Sequence, residues 1–127
     1  MEGRGKGLVE VCSVEFLVTN GVAHEEIYEY VSPDDAKENY QYRLDVEFRT
    51  RERLDTEWID QKGLLLEKFN SSDEYLACAE IGSTPMCRFV GRYEKYIVVF
   101  NTHMRNNFMT LRDLENVIEG IDLKFVQ

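Results

Sequence analysis

The sequence predicts an α+β fold: a predominantly antiparallel sheet, bent or partly closed into a barrel, with a C-terminal amphipathic helix packed on it. Three stretches carry that prediction. YQYRLDVEFRT (40–50) alternates apolar and polar side chains, Asn20–Gly21 separates two β-rich runs, and apolar residues recur at helical spacing from Leu111. The 127 residues contain no internal repeat, no low-complexity tract and only two prolines. One globular domain over 8–127 is expected, behind a flexible lead-in at 1–7, MEGRGKG, which lacks the apolar core of a signal peptide.

The elements follow in chain order. Residues 8–19, LVEVCSVEFLVT, are rich in β-branched and aromatic side chains, with Cys12, Val14, Phe16 and Val18 on one face of a strand. Asn20–Gly21 then gives the two positive-φ positions of a type I′ turn. Residues 22–31 read as the returning strand, with a short helix as the alternative. Ser32 caps a single helical turn that has Pro33 at its first position. Over 40–50, Tyr40, Tyr42, Leu44, Val46 and Phe48 alternate with Gln41, Arg43, Asp45, Glu47 and Arg49, predicting a strand with one wet face. Residues 51–63 stay open between helix and strand. Strand-like runs follow at 64–69, 74–81 and 86–93, with Gly91 marking a bulge or a close approach. YIVVFNTH (96–103) is apolar on both faces as far as Phe100, as a central strand covered on both sides would be. Thr110 opens a helix with the spacing of a capping box to Asp113, and Leu111, Leu114, Val117, Ile118 and Ile121 form its apolar stripe.

This order of strands ending in one helix resembles the pleckstrin-homology-like architecture, in which a bent sheet is closed at one end by a C-terminal helix. The resemblance lies in element order and implies a fold, not a function. The first hairpin turn is too short and unbasic to cradle a phosphoinositide, and the C-terminal helix has no tryptophan. A layered fold of antiparallel sheet and packed helices is the alternative.

Composition narrows function. The net charge is −9, and between Glu25 and Asp60 stand 12 acids against 5 bases. Such a field repels phosphate backbones and anionic membrane surfaces, so no nucleic acid or membrane partner is expected. Cys12, Cys78 and Cys87 are odd in number and outside CxxC or CxxH spacing, so they read as reduced, structural thiols of a cytoplasmic protein. No nucleophile elbow, zinc-binding helix, P-loop or dinucleotide motif occurs, and neither a metal nor a cofactor is expected.

Two groups of residues remain as candidate sites. At the mouth of a pocket between the C-terminal helix and the sheet, Asn101, His103, Arg105 and Thr110 bring a potential general base and an anion-holding guanidinium to a strand-to-helix connection. Glu25, Glu26, Glu29, Asp34 and Asp35, with the single Trp58 as an anchor, offer an acidic interaction surface. The expected function is that of a non-enzymatic interaction domain. It would dock a protein partner, a second copy of itself included, through a sheet edge or the acidic surface. The alternatives are a small-molecule binder or small enzyme with its pocket near His103, and an acidic inhibitor or immunity-type protein that blocks a basic cleft.

Overall fold

A computed structural model describes residues 7–18, 21–49, 57–61, 63 and 69–125. Among the described residues the strands are β1 (Leu8–Val18), β2 (Gly21–Tyr30), β3 (Ile59–Asp60), β4 (Asp73–Ile81), β5 (Thr84–Tyr93) and β6 (Tyr96–His103). Helix α1 (Pro33–Glu47) lies between β2 and β3, and α2 (Leu111–Lys124) follows β6. The strands form one antiparallel sheet in the order β1-β2-β6-β5-β4-β3, which stays open. The fold class is therefore α+β as the sequence predicts. The barrel-like closure is not present, and a long helix interrupts the strands where the pleckstrin-homology-like order has none.

That helix is the main correction. Residues 40–47 belong to α1, not to a wet-faced strand, and the helix beginning at Ser32 runs for 15 residues instead of one turn. The physical reason is that Tyr40, Leu44 and Phe48 are four apart, a spacing that fits the strand period as well as the helix period. Together with Ala36 they form a helical stripe that packs on Tyr28, Tyr30, Val90, Ile97 and Val99 of the sheet. Start signals decide between the two periods. The Ser32 hydroxyl accepts from the Asp35 N–H at 3.2 Å, Pro33 stands in the first turn, and Asp34 and Asp35 sit at the positive end of the helix. Val46, on the expected dry face, is only half-buried.

The opposite face of the sheet holds a second core. Leu114, Ile118 and Ile121 of α2 pack on Ala23, Leu76, Phe89, Val98 and Phe100. Strand β6 thus lies between two helical layers, as its two-sided apolar run predicts. Asp122 fastens the C-terminal end of α2. It is 3% exposed and accepts from the Asn70 backbone N–H at 3.0 Å, from Asn70 Nδ2 at 2.7 Å and from the Tyr93 hydroxyl at 3.0 Å. The capping box forms: Thr110 Oγ1 accepts from the Asp113 N–H, and the Asp113 carboxylate accepts from the Thr110 N–H at 3.0 Å, which holds that carboxyl below the usual range. Leu111, at the start of the expected stripe, is instead half exposed.

Gly21 is used differently from the sequence expectation, and Gly91 takes the second of its two expected roles, close approach. Val18 pairs with Gly21, so Gly21 is the first residue of β2 and its φ is not positive; Thr19 and Asn20, between them, lie outside the described residues. A Cβ on Gly21 would fall 2.6 Å from the Phe108 ring, so glycine is required there for close approach. At Gly91 the register is regular, with no bulge, and a Cβ would meet the Phe89 and Tyr93 rings at 2.9 Å. The strand-like run at 64–69 lies outside the described residues except for Phe69, which packs against the α2-side core.

Candidate interaction surface

The four loop residues do not converge. Asn101 and His103 share one face of β6 with the α1-facing Ile97 and Val99. Asn101 Oδ1 accepts from Arg88 Nε, and His103 Nδ1 accepts from the Val22 backbone N–H at 3.2 Å. The register partner of His103 on β5 is Met86, which has no nucleophilic or acidic group. Arg105 forms a bridge to Met109, and the Arg105–Met109 turn delivers the chain to the Thr110 cap. Arg105 and Thr110 line a cleft of about 740 Å³ together with Met86, Met104, Met109 and Leu111. His103 is not among its lining residues.

The acidic residues are likewise distributed. Glu25 and Glu29 are held by Lys124 at 3.1 Å and Lys95 at 2.9 Å. Glu26 lies on the other face of β2, where it accepts from the Tyr28 hydroxyl at 2.8 Å and lies 3.3 Å from His24. Asp34 and Asp35 serve the N-terminus of α1. Trp58 packs edge-on against Phe48 with ring centroids 5.0 Å apart, and the Arg88 guanidinium lies over its ring at 4.9 Å. These six residues belong to several surfaces of the fold, so no single acidic face carries them.

A charged cluster that the sequence reading did not find lies under Trp58. Arg43 is 6% exposed, stacks over the Tyr28 ring at 4.1 Å and reaches Glu47 at 3.5 Å. Arg88 also reaches the Glu47 carboxylate at 3.8 Å and donates to the Glu47 carbonyl. Burial pushes the Glu47 carboxyl up and the Arg88 guanidinium down, while each partner's charge pulls the other back. The Arg43–Glu47 spacing of four is a helical pair, invisible while the segment reads as a strand. This cluster is closed over by aromatic rings and ties α1 to β5. It is a structural device.

Two of the cysteines also depart from expectation. Cys78 on β4 and Cys87 on β5 are register partners and form a disulfide. They are not reduced thiols; antiparallel pairing brings side chains nine residues apart directly opposite each other. Cys12 is free and exposed, and the carboxylate of Glu10 beside it pushes its thiol up. Among the described residues no three His, Cys, Asp or Glu side chains gather as a metal-ligand set, and no helix is long and apolar enough to cross a membrane.

What remains is the sheet edge. β1 pairs with β2 on one side and with no described strand on the other over its 11 residues. Val9, Val11, Val14 and Phe16 are 57%, 43%, 48% and 50% exposed. The outward row of backbone groups follows from the hairpin. The Val31 N–H donates to the Gly7 carbonyl and the Tyr30 N–H to the Lys95 carbonyl, so odd residues of β2 bond toward β1 and even ones toward β6. Cys12, Val14 and Phe16 pair with Ile27, Glu25 and Ala23 and use their peptide groups inward. Val11, Ser13 and Glu15 therefore turn N–H and C=O away from the sheet. Phe16 also lines a smaller cavity, about 320 Å³, with Phe108, Val117 and Ile121, so the apolar stripe on β1 continues toward α2.

No protein-family model matches the chain, no curated protein matches it in sequence, and no solved structure matches it.

Proposed function

We propose that this protein is a non-enzymatic interaction domain that docks an extended segment of a polypeptide along β1, adding a strand to its sheet. The observation that carries the reading is the long β1 edge, with no described strand on its outer side and four exposed apolar side chains. Natural sheets blunt such edges with proline, lysine or short length, because a free edge is a template for another chain. β1 is long, and its residues 8–18, LVEVCSVEFLV, include neither proline nor lysine; its one irregularity, a register shift between Leu8 and Glu10, leaves 11–16 regular. Backbone bonds along the edge would supply affinity, and alternate side chains would supply selectivity.

The test uses displayed nine-residue peptides selected for binding to the whole chain. Ser13→Pro removes one outward N–H without touching the β2 ladder, so it should abolish binding of the selected peptides while the fold is retained. Arg112→Ala, on the rim of the larger cleft, should leave that binding unchanged.

A second reading is favoured by that cleft itself. Its volume and its lining of three methionines, Ile59, Leu111 and the Cys78–Cys87 disulfide suit a small apolar ligand. On that reading Arg112→Ala weakens binding and Ser13→Pro does not.

A further inference from the structure

The partner that β1 fits best is already present in any solution of the protein. We propose that two copies pair antiparallel through their β1 strands, about a two-fold axis at Val14, to form one continuous twelve-stranded sheet. The inference rests on the edge-docking reading and names its occupant.

Symmetry restricts the pairing. Directly opposed residues share a face of the sheet, so a two-fold axis normal to the sheet must pass through a residue position and not between residues. With the axis at Val14, Val14 meets Val14 of the second copy, Cys12 meets Phe16 of the second copy, and Ser13 meets Glu15 of the second copy. The apolar stripe on the α2 side thus covers itself, and no carboxylate is set against a carboxylate or an apolar side chain between residues 12 and 16. Neighbouring registers are worse. An axis at Ser13 puts Glu10 against Phe16 and Val11 against Glu15, one at Cys12 puts Glu10 against Val14, and one at Glu15 puts two carboxylates face to face. The hydrogen-bond row agrees. Val11, Ser13 and Glu15 offer the outward N–H and C=O groups, so Val14 with Val14 is a non-hydrogen-bonded pair, the type in which side chains approach most closely. Phe16 of each copy would be covered by Cys12 of the other, closing the open side of the cavity it shares with Val117 and Ile121.

Charge gives this partner a signature. Each copy carries −9, so the two repel at long range, and added salt should favour the pair. A basic partner drawn by the net negative charge would respond in the opposite direction.

The experiment combines sedimentation equilibrium with site-directed crosslinking of the full chain. The wild type should move from monomer mass toward dimer mass as concentration and salt rise, and Ser13→Pro should stay at monomer mass. In a Cys12→Ser background, Val14→Cys should yield a disulfide-linked dimer under mild oxidation, because residues opposed in a non-hydrogen-bonded pair are within disulfide reach. The wild-type Cys12, opposed to Phe16, should not. Crosslinking through Cys12 in preference to position 14 would overturn the register. A wild type at monomer mass under all conditions would overturn the self-pairing. In that case the β1 peptide (residues 8–18 with Cys12→Ser) is titrated against the chain alongside the selected peptides. Binding of the selected peptides that is sensitive to Ser13→Pro, without self-pairing, leaves the edge-docking function standing with a different occupant. No edge binding of any kind removes both.

Discussion

Phe89→Ala is expected to lower the free energy of unfolding by about 3–5 kcal/mol, the usual range for truncating a fully buried phenylalanine. Phe89 has no exposed surface. It stands at the middle of β5 with Leu76 and Phe100 as register partners, and it belongs to the core beneath Leu114 and Ile118. Phe69 stacks on its ring with centroids 6.1 Å apart. Removing the ring leaves a cavity that two sheet neighbours and a helix cannot collapse to fill, because all three are held by their own ladders. Leu111→Ala is the control. Its side chain is half exposed, so it should cost no more than about 0.5 kcal/mol. Urea denaturation with unchanged slopes checks both, and similar losses for the two variants would mean that the α2-side core is misplaced.

Gln41→Pro is expected to cost about 3 kcal/mol or more and to reduce helical ellipticity at the same time. Gln41 lies mid-helix in α1 with its side chain exposed, bonded to Asp45 at 2.9 Å on the helix surface. A proline there removes an intrahelical N–H bond and clashes with the preceding turn, while Gln41→Ala loses only a solvent-exposed contact and should be nearly neutral. The damage should spread to the Arg43–Glu47–Arg88 cluster, since the last turn of α1 holds Glu47 in place. If 40–50 were a wet-faced strand, helical signal would not change.

That segment also shows why the sequence was legible in part. The hairpin β1–β2, the strands β4 to β6 and the capped helix α2 were all readable, because each has one dominant period and its own punctuation. In 40–48 two periods coincide. Tyr40, Leu44 and Phe48 satisfy both, and only Tyr42 and Val46 favour the strand. Start signals at Ser32, Pro33, Asp34 and Asp35 break the tie, yet they lie five to eight residues upstream of the alternation they govern. The disulfide was hidden for a different reason. Spacing alone could not reveal that Cys78 and Cys87 stand opposite each other; the register of β4 on β5, set by the turn between Ile81 and Thr84, does so. For the candidate site, the end of β6 at His103 and the turn that follows it separate the four residues. Asn101 and His103 went to one face of the sheet, and Arg105 and Thr110 to the cleft at the start of α2. The exposed β1 edge left no residue-type signal at all, since an edge strand and an inner strand of this composition read alike until strand order is known.

The central claim is that the outer side of β1 is free in the monomer and becomes a ladder when a partner docks. Amide hydrogen exchange resolved at single residues tests it most directly. In dilute protein the amides of Val11, Ser13 and Glu15 should exchange freely while those of Cys12, Val14 and Phe16, bonded to β2, are protected. On raising the protein concentration and salt, or on adding a selected peptide, protection should appear at Val11, Ser13 and Glu15. Protection of those three amides already in the dilute monomer, or its absence when a partner is bound, would contradict the account.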